Sequence, residues 1–572
     1  MKQGDPSSPD LFGLYIETLA DFMEAMDRHG LPVTAADGTI LHPHVDDAPV
    51  LDGLVGPRRV VSALFADDIN LVATSAARMN YLLAVLDIFC QAFGMRANIS
   101  KCEALAFTSD PQLHAALSAT PLWYRGSPIP PTVRARYLGL YYGPQQRGRS
   151  RASCPSPLFT DTHTELLASG QRATHALRSK LSTCGIRVPG LVMLFWNSCV
   201  RTVLSFGAQV WATSHLSCDF DAAMRHPMVL EQRRWLQRMV GSHRPPTLPL
   251  FMELSQLPLQ HHWAGLIFRF WNDLVDDTSS LFHAAFRSDL RLALAAKCGW
   301  SWDVIKFVRE LDLDSLPTHS QHTNDELVDY YSSLRLPVTE LLATMAERLL
   351  RVWAHPAVPT VDTRSYTGPL PLPVCRYLQC MGLPAHRQQG DGTLESLPHI
   401  WLSLSRTSHT RLMQFRVGAW TNLAANQPQH QRAVCDCICA SCVRAGLGRF
   451  VEDERHVLME CPAYDGIRAD FASVLPFGHG RMVDVLASDN QRALAECVER
   501  IYVCQQELHD DVHAETACDV CGGLDPEGML LCDGDCARGF HCHCLTPALP
   551  RPPKGCWYCS DCEYVRLTNE LT

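Results

Sequence analysis

Phe65-Ala66-Asp67-Asp68-Ile69-Asn70-Leu71-Val72-Ala73 sets two adjacent carboxylates between two apolar runs, Val60 to Phe65 and Ile69 to Ala73. Apolar runs on either side of a short polar pair read as a tight hairpin with the acids at its tip. Upstream, Gln3-Gly4-Asp5-Pro6-Ser7-Ser8-Pro9 precedes apolar residues at Leu11, Leu14, Tyr15, Phe22, Met23 and Met26, a helical spacing with Gly30 as its stop. Residues 32–59 are rich in Gly, Pro and Asp and read as a long loop. Downstream, Met79, Leu82, Leu83, Leu86, Phe89 and Phe93 share one face of a second helix ending at Gly94. Asn98-Ile99-Ser100-Lys101-Cys102-Glu103 follows, and Tyr137-Leu138-Gly139 opens a further strand. Two acids at a hairpin tip suit nucleotidyl transfer. That reaction uses two divalent cations a few ångströms apart, one at the attacking oxygen and one at the leaving group.

These pieces, in this order, resemble the second half of a reverse-transcriptase palm of the non-LTR (LINE-like) retrotransposon type. The resemblance implies that Gln3, Gly4 and Pro6 line the template and incoming base pair. It makes Asp67 the principal Mg²⁺ ligand and Asp68 its neighbour, with Lys101 as general acid toward pyrophosphate. Ser7 departs from the family, which has an apolar residue there. The strand with the remaining catalytic aspartate is expected before Met1, so polymerase activity is expected to be incomplete in this chain. Asp46 and Asp47, in the Pro-rich loop, are poor substitutes. Weaker likeness continues through Val203 to Trp211 and Glu231 to Leu259, with Gln232, Leu236, Gly241, Glu253, Leu254 and Pro258 in place. In the family this is thumb and connection, implying backbone contacts to an RNA template and DNA primer or target.

At 572 residues the chain exceeds one core, and several domains are expected. The net charge of −10 disfavours a uniformly nucleic-acid-binding surface but leaves room for a local basic groove, such as Arg147 to Arg151. No run is long and apolar enough for a membrane span, and the first residues do not read as a signal peptide, so an intracellular, nuclear place and no membrane partner are expected. Twenty-five cysteines, with a dense group after residue 500, read as zinc ligands rather than disulfides inside a cell.

Cys439-x2-Cys442 followed by His456-x4-Cys461 makes a CCHC set suited to one tetrahedral Zn²⁺, with Cys435 and Cys437 as alternatives for the first two ligands. The His456 to Tyr464 run resembles the cysteine-histidine motif found after LINE-type polymerases. Further on, four pairs follow: Cys518 with Cys521, Cys532 with Cys536, His541 with Cys544, and Cys559 with Cys562. Together with Trp557 this ladder resembles a PHD finger. The resemblance implies two zinc ions, the first and third pairs on one and the second and fourth on the other. So small a segment lacks an adequate apolar core, and metal must supply its folding energy. PHD fingers take histone tails as an added strand, which the resemblance places at Gly528, Met529, Leu530 and Leu531. Asp519, Asp525, Glu527, Asp533 and Asp535 surround that strand and suit a basic tail. Gly539 stands where readers of trimethyl-lysine place a cage Trp, which favours an unmethylated lysine.

The expected architecture is α+β and multidomain. A partial palm over residues 1–145 is followed by a helical thumb and connection over 146–300 and a helical linker over 301–430. The CCHC motif at 431–470, a second helical linker at 471–514 and the finger at 515–565 complete it. The main expectation is a retrotransposon-derived RNA-directed DNA polymerase fragment carrying a PHD-type finger. The alternative is a non-enzymatic, zinc-binding, chromatin-interacting protein.

Overall fold

The computed structural model describes the chain except residues 1–7, 44–49, 54–55, 60–61, 66–67, 109–110, 144–158, 242–244, 312–315, 318–321, 352–376, 378–388, 391, 421–422, 424–438, 449, 516–517, 524–528, 533–537, 551–556 and 564–572. It is mainly helical and divides into two units. One comprises residues 1–170, 203–217 and 262–341, and the other residues 171–202, 218–261 and 342–572. Among the described residues every sheet has two strands, and no helix is long and apolar enough to cross a membrane.

In the first unit, helix α1 (Ser8–His29) ends at Gly30, whose φ of +60° stops it. The expected long loop over 32–59 instead holds two short hairpins, Val33–Thr34 with Ile40–Leu41 and Val50–Gly53 with Gly56–Arg59. The first is closed by Asp37-Gly38, with Gly38 at φ +84° and Thr39 N–H donating to Asp37 Oδ1 at 2.9 Å. Asp-Gly between β-branched residues is a hairpin signal that overrides a loop-like composition.

Strands β1 (Ser62–Phe65) and β2 (Asp68–Leu71) form the antiparallel hairpin that bears the acid doublet. Helix α2 (Ala76–Ala92) is capped by Ser75, whose Oγ accepts from Arg78 N–H, and is followed by Gly94 at φ +66°. Its Tyr81, Leu82, Val85 and Phe89 pack with Leu19 and Met23 of α1. Arg78 is fully buried there, donating to Asp27 at 2.6 Å and to the Pro43 carbonyl at 2.9 Å. β3 (Ala135–Tyr137) and β4 (Leu140–Tyr142) form the next hairpin. Tyr137-Leu138-Gly139 therefore closes a strand rather than opening one: Leu138 and Gly139 have φ +49° and +84°, the backbone of a two-residue hairpin turn.

The second unit is built around buried polar clamps as well as apolar packing. Gln232 donates to the Leu257 carbonyl at 2.9 Å and accepts from Leu259 N–H at 3.1 Å, holding the turn before Leu259. Helix α3 (Arg406–Arg416) packs against helix α4 (Gln491–Glu515). At the end of α3, Arg416 donates to buried Glu253 at 2.7 Å and to the Leu486 carbonyl at 2.8 Å. Glu253 also accepts from Tyr377 at 2.7 Å, and His399 Nε2 stands 3.3 Å away. A carboxylate with two donors and an imidazole around it is compensated for losing water. Beyond α4, β5 (Met529–Leu531) pairs antiparallel with β6 (Gly539–His541).

Candidate metal centres and the finger edge strand

The expected CCHC ligands converge. Cys439, Cys442, His456 and Cys461 are all buried, with one ligand atom each inside a cluster no wider than 4.8 Å. Cys461 Sγ lies 3.8 Å from the sulfurs of Cys439 and Cys442, and Cys442 Sγ lies 3.4 Å from His456 Nε2. On a tetrahedral zinc with Zn–S of about 2.3 Å, the sulfur–sulfur edge is about 3.8 Å and the sulfur–nitrogen edge about 3.6 Å. The donor set fits that ion in type and size. Cys435 and Cys437 lie outside the described residues.

Local backbone explains the convergence. On an α-helix, residues five apart point about 140° away from each other. Residues His456–Glu460 instead form a π-turn, with Cys461 N–H donating to the His456 carbonyl at 2.7 Å. This wider loop brings Cys461 back beneath His456. Asp453 Oδ1 accepts from His456 N–H at 2.8 Å, and the Phe450 ring stacks on the imidazole. The centre is part of a core. Leu412 and Phe415 of α3, Trp420, Leu458, Tyr464, and Leu494 and Val498 of α4 surround it, all nearly fully buried. Protons compete with a cation for these ligands: burial lifts the Cys442 thiol to about 11. For His456, burial acts downward, but Cys439 and Glu460 outweigh it and bring the imidazole to about 9. Metal uptake here must therefore release protons.

In the C-terminal finger, Cys518, Cys521, His541 and Cys544 converge in one group and Cys532, Cys559 and Cys562 in a second. Cys536, the fourth expected ligand of the second group, lies outside the described residues. The pairs thus interleave, the first with the third and the second with the fourth. His541 uses Nδ1, which lies 3.3 Å from Cys521 Sγ and 3.8 Å from Cys544 Sγ. Backbone N–H groups point at the sulfurs: His541 toward Cys518 at 3.3 Å, Gly523 toward Cys521 at 3.4 Å and Cys559 toward Cys532 at 3.1 Å. Such donors favour thiolate. Burial acts to raise Cys518, but the N–H groups of His541, Cys521 and Val520 outweigh it and lower it to about 6. The apolar content is small, Phe540 against Trp557 with Leu545 beside them.

β6 is flanked on both sides. β5 covers one edge, and on the other Cys518 bridges Gly539, with Asp519 N–H donating to the Gly539 carbonyl at 2.7 Å. β5 pairs only with β6 among the described residues, so its outer edge has no strand partner there. Gly539 is buried between its two neighbours. Of the five acids expected to meet a basic tail, Asp519 is instead engaged internally, accepting from Arg538 at 2.9 Å. Asp525, Glu527, Asp533, Asp535 and Gly528 lie outside the described residues. Arg538 went unnoticed in the sequence, although it is the only Lys or Arg between Cys518 and Pro550.

In the N-terminal unit, Asp68 pairs with Phe65 across the hairpin and is exposed. Lys101 ends a short 3-10 turn capped by Asn98 and is also exposed. Asp67, Gln3, Gly4 and Pro6, with Asp46 and Asp47, lie outside the described residues.

Among the described residues, a four-ligand set and a three-ligand set interleave beside a two-stranded sheet, an arrangement that fits a zinc finger. Residues 518–562 match the PHD-finger family. The chain is 39% identical over 85 residues to the histone-lysine N-methyltransferase ATXR5 of Arabidopsis thaliana, 14% of this chain and 22% of that one. It is 46% identical over 65 residues to ATXR6 of the same plant, covering 11% and 18%. With human zinc finger protein neuro-d4 it shares 41% identity over 46 residues, 8% and 12%. The chain thus spans about a fifth or less of the length of these relatives. No solved structure matches it.

Proposed function

We propose that the chain is a zinc-dependent chromatin-binding protein of the nucleus whose finger takes a histone tail as a strand added along β5. The observation that carries this reading is the outer edge of β5, which has no strand partner among the described residues, beside a fully flanked β6. Strand addition satisfies such an edge with main-chain hydrogen bonds. The names of two relatives, histone-lysine methyltransferases, agree with a histone setting. A small buried Gly539 offers no aromatic wall, which favours an unmethylated lysine in the tail. Titrating the full chain with unmodified and lysine-trimethylated histone-tail peptides tests it. Expected is modest affinity for the unmodified tail, weakening as salt is added. Absence of binding to either peptide, with zinc present, refutes the proposal, and preference for the trimethylated tail refutes the reading of Gly539.

A second reading takes residues 1–145 as derived from a retrotransposon reverse transcriptase. It is supported by the β1–β2 hairpin, which sets Asp68 exposed opposite Phe65. On this reading Asp67 and Asp68 serve Mg²⁺, Lys101 serves the leaving pyrophosphate, and RNA template and DNA primer are partners. The reading expects no primer extension by this chain alone, so its test is Mg²⁺ titration of the full chain: binding weakened in Asp67→Ala supports it, and equal Mg²⁺ binding by chain and variant counts against it.

A further inference from the structure

Among the described residues of the finger, one guanidinium, that of Arg538, reaches residues of both metal centres. Arg538 Nη2 donates to Cys559 Sγ, a ligand of the second centre, at 3.2 Å. The same nitrogen reaches Asp561, which lies between Cys559 and Cys562, while Nη1 donates to Asp519, next to Cys518 of the first centre. The guanidinium carbon stands 5.6 Å from the centroid of the Phe540 ring. Asp519 N–H in turn holds the Gly539 carbonyl at the flanked edge of β6. One planar fork therefore joins the first zinc knuckle, the sheet and the last ligand pair.

The charges explain why a cation belongs there. A zinc ion on four thiolates carries about −2 in net charge, and one on three thiolates and an imidazole about −1. Asp519 and Asp561 add to that negative field. An N–H donor on a ligating sulfur draws off charge and fixes the ligand's direction, as partners of metal ligands do elsewhere.

We propose that Arg538 is a positioning residue for the second zinc, holding Cys559 through a charge-assisted N–H···S bond and locking the two centres in register through Asp519 and Asp561. Lysine cannot replace it fully. An ammonium keeps the charge but lacks the planar fork that reaches all three acceptors. The proposal rests on the two-zinc reading of the finger, and the test separates the two.

The experiment follows zinc release from the full chain to a chromophoric chelator. The phase absent from Cys532→Ala is assigned to the second centre. In Arg538→Met that phase is expected to accelerate about 10- to 100-fold, in Arg538→Lys by less, and the other phases keep their rates. An unchanged rate in Arg538→Met, or equal acceleration of every phase, overturns the proposal. Should Arg538→Met purify short of a zinc, Arg538→Lys decides: release as fast as the wild type overturns it, and selective acceleration supports it. A wild-type chain in which no phase depends on Cys532 overturns the two-zinc reading and the proposal with it.

Discussion

Cys461 and Cys497 offer a matched pair of perturbations. Both thiols are fully buried in the same apolar cluster, yet only Cys461 belongs to the CCHC group. Replacing Cys497 by Ala removes a buried sulfur and should cost about 1 kcal/mol, the centre of the range for single substitutions. Replacing Cys461 by Ala removes a ligand as well. Structural zinc sites contribute roughly 10–16 kcal/mol, so an equal share per ligand is roughly 2.5–4 kcal/mol. That is a large part of the 5–15 kcal/mol that typically holds a protein together. The centre lies among Leu412 and Phe415 of α3 and Leu494 and Val498 of α4, so both helices should loosen together. Metal analysis of the full chain should show one zinc fewer in Cys461→Ala and none lost in Cys497→Ala. Hydrogen exchange should report lost protection in α3 and the first half of α4 for the first variant alone. Equal zinc content and equal protection in the two variants would falsify the assignment of the centre.

Two further outcomes follow from buried polar groups. Burial holds His409 of α3 at about 4, below the usual 6.5, so between those values the unfolded chain binds more protons than the folded one. Its contribution is intact above about pH 6.5 and declines by about 3 kcal/mol as pH falls toward 4. Urea unfolding of His409→Gln should show a flatter pH dependence over that window, and an identical slope would count against it. Glu253→Gln should destabilise the second unit by about 3–5 kcal/mol, because Arg416 stays buried without its carboxylate. A loss below about 1 kcal/mol in denaturant titration would show that the clamp is not what holds α3.

The metal ligands were legible because their chemistry is local. CxxC and HxxC spacings, and the order of four pairs, specify tetrahedral sites before any tertiary contact is known. Helices α1 and α2 were legible from their apolar period and the glycines that end them. The hairpins within 32–59 were hidden by a composition rich in turn residues, and only Asp37-Gly38 betrayed one of them. The partners of Arg538 and Glu253 could not be read, because each joins residues distant in sequence through geometry that no spacing encodes. The palm-like motifs are a different case. Most of their key residues lie outside the described chain, and each described sheet stops at two strands.

The π-turn between His456 and Cys461 makes chain length itself a specification. Deleting one residue from Val457–Glu460 would leave a four-residue step, the step at which an ordinary helix also stacks two side chains on one face. The ligands could then still meet around a cation. The turn ends at Cys461, whose extended backbone (ψ 120°) leads into a separate helix, Asp465–Phe471. A chain shortened by one residue would draw that helix toward His456. Tyr464 and Phe471, which face the core, and Arg468, which donates to the carbonyls of Val457 and Cys461, would be displaced with it. Metal affinity and correct packing are thereby separable. The inserted residue sets where the following helix meets the core, not merely the fit of the ion.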